Sequence, residues 1–386
     1  MNKKVIISVV LSVLILFTVF NINIITVSAD SLESNIEEQL ANIDLSELED
    51  FFNNVKNEQS ENLLDLLNNI LEGNYTLDVN DVFSNILKIF LTKTTELVPM
   101  FLGVIAISIF CGLMQGFKSS FVSEGVSDII FFICFLAIVL IMSTAILDMY
   151  ENAKITMKNI AKLTQIMSPI ILTLMIASGG AVSASVYKPA VIFLSSGVTS
   201  IFLSIVIPLI GLMFVFCIVS NFSSEIKLNK YIDFASSTIK WIIGIVVAIF
   251  GLFISIQGLT SAFHDGVTLR VAKYTLSNSI PIVGGLVKDG FDLILLSSVL
   301  IKNAIGISSV FILFSIVLSP IVFMMVFSLL LKFTAAVTEG VADCRISNFC
   351  TSLSKCITYL CASVILIGLM LFVTILLMIL SANSIL

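Results

Sequence analysis

The residues that most often perform catalysis are scarce in this sequence. His264 is the only histidine, so a histidine-based metal site or a Ser–His dyad has a single imidazole available. Cys344, Cys350 and Cys356 lie six residues apart, a spacing that does not bring three thiolates from one helix to a single metal ion. The sequence contains no P-loop pattern, so any energy must come from another subunit. We therefore expect a protein that is not an enzyme and that has no catalytic residue, cofactor or metal of its own.

Ionisable side chains are missing from the most apolar parts of the chain. Ion-coupled transporters usually hold a charged residue within a membrane span, because a proton or cation needs a charged partner at membrane depth. Broken helices can still coordinate ions through backbone carbonyls, so Gly179–Gly180, Pro208 and Pro320 are the places to look for such a site. Five long apolar runs contain no Asp, Glu, Lys, Arg or His: 129–147, 190–219, 241–259, 304–331 and 357–380.

Small residues give a positive signal. Gly112 and Gly116 form a GxxxG pattern in the first apolar run, and residues 177–185, which include Gly179 and Gly180, are nearly all small. Such residues let helix backbones approach closely in lipid. Two interpretations stay open: packing within this subunit, or contact with another subunit.

Composition assigns the chain to the membrane. Of its 386 residues 58% are hydrophobic and 12% charged, with a mean hydropathy of +1.10. A soluble protein has about 25% charged residues. The acidic character belongs to one region, because residues 30–96 contain 15 Asp or Glu against three Lys, a net charge of −12. A strongly acidic head offers no phosphate-binding surface, so we expect no nucleic acid among the partners.

The first 29 residues have the three parts of a secretory signal. Lys3 and Lys4 precede an apolar stretch from Val5 to Phe20, and small residues stand at Val27 and Ala29. Cleavage after Ala29 would make Asp30 the first residue of the mature protein. The alternative is an uncleaved signal anchor, and in both cases the following residues are exported.

Residues 30–95 are predicted to form a small, acidic, helical head outside the cytoplasm. Apolar residues recur near helical spacing at Ile36, Leu40 and Ile43, and again through residues 63–71. About 65 residues bury only a marginal core. We therefore expect the head to pack against a partner or against the rest of the chain.

Residues 96–386 are predicted to form an all-α, polytopic membrane domain. A membrane helix needs about 20 mainly apolar residues. Two runs are interrupted by Pro208 and Pro320, which predicts a kinked span or a broken pair in each. The segment 167–187 is a weak span or a re-entrant segment. About seven membrane segments result, with the clearest at 97–117, 129–147, 241–259 and 357–380.

Two sequence signals disagree about the orientation of these segments in the membrane. A polar, amphipathic stretch precedes an apolar run three times, at 148–165, 223–240 and 339–356, as interfacial helices do. With the head exported and seven spans following, all three stretches fall outside and the residues after the last span fall inside. The positive-inside rule prefers the reverse, because these stretches are rich in Lys and Arg. We retain the orientation that the signal peptide predicts.

The passage from 262 to 310 is semi-polar and lies between strong apolar runs. Its distinctive features are Asp265-Gly266-Val267 followed by Arg270 and Lys273, then Asn278, Pro281 and Gly284, and then Lys302-Asn303 with Gly306. With these motifs the sequence resembles the stage III sporulation protein AE family of endospore-forming Firmicutes. The resemblance extends to the layout of signal peptide, acidic head and polytopic remainder.

The resemblance implies a membrane component of the channel apparatus that links mother cell and forespore. The protein would lie in the mother-cell membrane that surrounds the forespore, as a permease-like or scaffold subunit. Its expected partners are the bilayer and the other membrane proteins of that complex, including a separate secretion-type ATPase. The competing hypothesis is a stand-alone permease for small molecules or ions.

Overall fold

A computed structural model describes residues 35–36, 39–40, 43–55, 63–71, 79–116, 124–222, 228–279, 284–341 and 343–381. The predicted signal peptide and its cleavage site at Asp30 lie outside these residues. Side chains are described in fewer places, and those of residues 258–289 are not among them. Of the predicted polar passage, residues 262–279 and 284–289 are therefore described as backbone only, residues 280–283 are not described, and the side chains are described from Asp292 onward.

The described residues form helices joined by short connections. The head contains α1 (Ser46–Val55) and α2 (Leu63–Leu71). The larger body contains α3 (Val79–Gly116), α4 (Glu124–Ala177), α5 (Ala181–Ile192), α6 (Thr199–Ile201), α7 (Ile207–Phe222), α8 (Asn229–Ser279), α9 (Gly284–Glu339) and α10 (Cys344–Leu380). Two π-helical stretches, Phe193–Val198 and Phe202–Val206, join α5, α6 and α7 into one continuous rod.

Six of these helical segments are long and apolar enough to cross a membrane, which confirms the all-α polytopic fold class: α3, α4, the α5–α7 rod, α8, α9 and α10. The difference from about seven predicted segments lies at 167–187. Its first part continues α4 to Ala177, and its second part begins α5. A turn at Ser178–Gly180 separates them, and Gly179 has φ 88°, a left-handed conformation that glycine adopts at little cost.

The head packs directly on the bundle. The buried residues of α1 and α2 belong to the same apolar cluster as those of the long helices. Lys162 of α4 places its Nζ 5.5 Å from the centroid of the Phe51 ring in α1. The head was expected to pack against a partner or against the rest of the chain. This contact shows that it packs against the rest of the chain.

The centre of the bundle is the antiparallel pair α9 and α10. In the most apolar 18-residue window of α10, 61% of the residues are buried, the largest share of the six long segments. Gly368 of α10 faces Val317 of α9 and Ile160 of α4, where a Cβ would meet atoms at ordinary contact distance. Aromatic pairs add edge-to-face contacts along this core, as between Phe314 and Phe372 at 6.1 Å.

We call the end of the bundle that carries α1 and α2 the head-side end, and the other the opposite end. At the opposite end α10 begins with a charged cap. The Asp343 carboxylate accepts a hydrogen bond from the Arg345 backbone N–H at 2.9 Å and from the Arg345 side chain at 2.8 and 3.1 Å. Burial raises the pKa of Asp343, but the Arg345 hydrogen bonds outweigh it and hold that pKa below its ordinary value. The Arg345 guanidinium also lies 3.4 Å from the Phe131 ring centroid, which ties α10 to α4.

Candidate functional site

Lys302 is the buried cation of the bundle's centre. Its side chain in α9 is fully buried, and its Nζ donates a hydrogen bond to the backbone carbonyl of Ser381, the residue that caps the C-terminus of α10. The last carbonyls of a helix lack intrahelical donors and carry partial negative charge. The ammonium therefore binds the end of α10 by both a hydrogen bond and the helix dipole.

One turn along α9, Gly306 faces the Ile379 side chain of α10 at close range. A Cβ built at Gly306 would lie 2.5 Å from Cγ1 and 2.6 Å from Cδ1 of Ile379. These distances are shorter than real Cβ contacts, so any other residue at position 306 would require the Ile379 side chain to move. Lys302 and Gly306 are four residues apart and share one helix face, which is why both meet the same partner.

Two further helices reach the end of α10. The Tyr187 hydroxyl of α5 donates to the carbonyl of Leu377 at 3.2 Å, and the Ser381 hydroxyl lies 3.7 Å from the sulfur of Met175 in α4. The backbone N–H of Gly180 donates to the carbonyl of Met175 at 2.7 Å, so the α4–α5 turn adjoins this place. We call the meeting point of α4, α5, α9 and α10 around Ser381 the Lys302 junction.

The head is hydrogen-bonded to α9 one turn before Lys302. The Gln39 side chain donates to Ser297 Oγ at 2.8 Å, and Ser298 Oγ donates back to Gln39 Oε1 at 3.1 Å. Ser297 and Ser298 are buried. The head thus contacts α9 one turn from the place where Lys302 binds the end of α10.

The chemistry of the junction is that of a clamp. Its groups are one ammonium, several hydroxyls, a primary amide and helix-end carbonyls, which can hold helices in register. Asn303 Oδ1 is buried and has no hydrogen-bond partner among the described residues. Within the same residues no group of three or more His, Cys, Asp or Glu side chains could hold a metal ion.

The predicted site residues divide between the two ends of the bundle. Lys302 lies in the junction, Asn303 follows it in α9, and Gly179 and Gly180 form the adjacent turn. Gly112 is half-buried near the C-terminus of α3, which ends at Gly116. This part of α3 lies toward the opposite end of the bundle. The predicted packing role of these glycines stays a prediction, although the conformation of Gly179 already explains a glycine there. The backbone of Asp265, Gly266, Arg270, Lys273 and Asn278 is part of α8, Gly284 begins α9, and Pro281 lies outside the described residues.

Sequence reasoning missed Tyr187, Gln39 and Ser381 as members of the junction. Each reaches it through a contact between residues far apart in the chain, and Gln39 is 258 positions from Ser297. No local pattern marks such a pair. Gly306 could have been identified from the sequence, because its spacing of four from Lys302 places both residues on one face of a helix.

A second polar cluster lies toward the opposite end of the α9–α10 pair. Ser328 Oγ and Ser354 Oγ lie 2.9 Å apart, and the Ser347 hydroxyl donates to the carbonyl of Ala335 at 3.0 Å. Between this cluster and the junction lie apolar contacts such as Phe314 against Phe372. Buried hydroxyls in this interval, such as those of Ser308 and Thr374, donate to carbonyls of their own helices.

The fold and the buried core define an all-helical, multi-pass membrane protein. Comparison with known proteins then identifies its family: the profile of stage III sporulation protein AE matches residues 62–382, and the chain belongs to this family. The chain is 27% identical over 280 residues to stage III sporulation protein AE of Bacillus subtilis (strain 168), covering 72% of this chain and 70% of that protein. No solved structure matches.

Proposed function

We propose that this protein is a membrane subunit of the channel or secretion-like apparatus between mother cell and forespore. It lies in the mother-cell membrane around the forespore with its head exported, and it works with a separate ATPase and other membrane proteins of that complex. The observation that carries the proposal is the family match over residues 62–382, which covers the whole membrane body and part of the head.

The packing of the bundle favours a scaffold or a wall element over a pore enclosed by one chain. Ile160, Val317 and Gly368 converge inside the bundle, and Phe314 packs against Phe372. Interiors packed in this way exclude water. Any aqueous conduit would therefore run between copies or between different subunits.

One observation favours the alternative of a stand-alone permease. Lys302 is an ionisable residue inside a long apolar helix, and such residues often mark ion or substrate pathways. Its hydrogen bond to a helix-end carbonyl gives a structural explanation for the same residue. The two hypotheses differ in whether the protein needs partners to act.

Expression restricted to one cell tests the proposed location. In a strain that lacks the gene, a copy under a mother-cell-specific promoter should restore heat-resistant spores to within about twofold of the intact strain. The same copy under a forespore-specific promoter, at equal protein abundance, should leave the defect in place. Rescue from the forespore alone would contradict the proposal.

A further inference from the structure

The six long segments traverse the bundle alternately between its two ends. At the head-side end, the end of α4 meets the end of α10 through Met175 and Ser381. The start of the α5–α7 rod is there as well, because Tyr187 donates to the carbonyl of Leu377. The early part of α9 joins them through Lys302.

The other ends of the same segments meet at the opposite end. Arg345 at the start of α10 lies on Phe131 at the start of α4. The end of the α5–α7 rod reaches the same place, since the rings of Phe222 and Phe132 lie 4.8 Å apart. Helix α3 points to the same end because it runs parallel to α9. The Lys93 Nζ lies 5.7 Å from the Phe323 ring centroid. Further along both helices, the ring centroids of Phe101 and Phe327 lie 5.1 Å apart.

Helix α8 runs from the opposite end toward the head-side end, antiparallel to the rod. Near its start, Tyr231 lies 5.9 Å from Phe216, close to the end of the rod. Further along, Phe253 lies 5.4 Å from Phe193, close to the rod's start. All six segments thus alternate in direction, so a chain that enters at the head-side end in α3 leaves at that end in α10.

We infer that the head and the residues that follow α10 lie on the same side of the membrane. Six alternating crossings return the chain to the side on which the head lies. The head contacts this side directly through Gln39 and Ser298, one turn from the Lys302 bond to Ser381. The last turns of α8, which include Lys273 and Asn278, follow the α8 crossing and lie on that side too.

This arrangement differs from the seven-span topology, which separates the head from the residues after the last span. It also divides the amphipathic stretches. Residues 223–240 and 339–356 begin α8 and α10 at the opposite end, whereas Lys162 of the stretch at 148–165 contacts the head. The polar passage, the head and the end of α10 therefore face one compartment and can contact one set of partners.

Cysteine labelling on intact protoplasts tests the inference, with the six buried native cysteines left in place. Cys344 is exposed at the start of α10 and reports the opposite end in the native chain. The three other probes carry Cys344→Ser together with Ser60→Cys in the head, Ser277→Cys in the polar passage or Ser384→Cys after α10. Each is treated with an impermeant PEG-maleimide before and after lysis, and the mass shift is read on a blot of equal membrane amounts.

We expect positions 60, 277 and 384 to share one labelling behaviour and Cys344 to show the other. With the head exported, the first three react on intact protoplasts and Cys344 reacts only after lysis. Different behaviour at 60 and 384 would overturn the inference, since it requires an odd number of crossings. A probe at 277 that behaves like Cys344 would overturn it as well.

Discussion

The α9–α10 pair and α8 are built from similar apolar sequence, yet they are packed very differently. In the most apolar window of α10, 61% of the residues are buried, against 17% in α8. On α9, Gly306 is in contact so close that a Cβ does not fit, whereas a Cβ at Gly244 or Gly251 of α8 meets nothing within 4 Å. Hydropathy identifies both as candidate membrane helices, and only the packing distinguishes a structural core from an exposed surface.

The α5–α7 rod lies between these extremes and contains the irregular backbone of the body. Pro208 lacks the N–H that would bond to the carbonyl of Ser204, which accounts for the π-helical turn at Phe202–Val206. Tyr150 of α4 supports this region by donating its hydroxyl to the carbonyl of Ile207 at 3.2 Å, against Gly211. An open groove of about 580 Å³ runs along the exposed face of the rod at Lys188 and Ile192. The comparison predicts that substitutions cost most in the α9–α10 pair and least on α8.

The largest effect is expected for Lys302→Glu. A carboxylate at this buried position faces the Ser381 carbonyl, so an uncompensated charge replaces a hydrogen bond at a cost of about 3–5 kcal/mol. We expect the protein to be nearly absent from membranes on a blot of sporulating cells. Lys302→Met, which removes the charge, should retain most of the protein.

Lys188→Glu is the matched control for that change, because Lys188 is exposed on α5. Its abundance should equal that of the unchanged protein. Normal abundance of Lys302→Glu would show that the Lys302 junction does not hold the bundle together.

The next effect is expected for Gly180→Leu. Gly180 is buried at the start of α5, and four added carbons overfill that place at a cost of about 3 kcal/mol. Leu371→Ile, at a buried position of α10, keeps the side-chain volume and should cost less than about 1.5 kcal/mol. Sporulation frequency and membrane abundance of both variants give the measurement. Normal sporulation with Gly180→Leu at normal abundance would refute close packing at the turn.

A smaller effect is expected for Gly306→Ala. One added carbon forces Ile379 to move, at a cost of about 1–2 kcal/mol. Gly251→Ala on α8 adds the same carbon into open space and should be neutral or slightly stabilising, because alanine favours helix. The midpoint of thermal unfolding in detergent compares the two, and equal midpoints would remove the contrast between the core and α8.

The smallest effect is expected for Tyr150→Phe. It removes one hydrogen bond to Ile207 and leaves the ring in place, at a cost of about 0.5–1.5 kcal/mol. The detergent midpoint should fall less than with Gly306→Ala. A larger fall would show that the rod, with its π-helical turns, contributes more to stability than its burial indicates.

The class of fold could be predicted from the sequence because lipid offers the backbone no hydrogen bonds, so long apolar runs must be helices. The number of membrane segments was harder to predict from the sequence. Residues 148–165 are amphipathic enough for an interfacial helix, but α4 continues through them because Ala153, Met157 and Ile160 are buried in the bundle. That burial depends on neighbours that no local pattern specifies.

The sequence predicted the candidate site only in part, because its contacts also join residues that are far apart in the chain. Lys302 and Asn303 were identifiable as polar residues beside an apolar run, and Gly306 by its spacing. Their partner at Ser381 lies 79 positions away. The pairing follows from the antiparallel packing of α9 and α10, which the sequence pattern does not encode.

Purification of the protein with its partners tests the central claim, a membrane subunit of a multi-protein sporulation complex, most directly. A functional tagged copy is cross-linked in sporulating cells, extracted in mild detergent and analysed by mass spectrometry, with an unrelated tagged multi-pass protein as the control. The account predicts specific enrichment of other sporulation membrane proteins and of a secretion-type ATPase. Recovery of the chain alone, at normal abundance and with sporulation intact, would contradict it and favour a stand-alone permease.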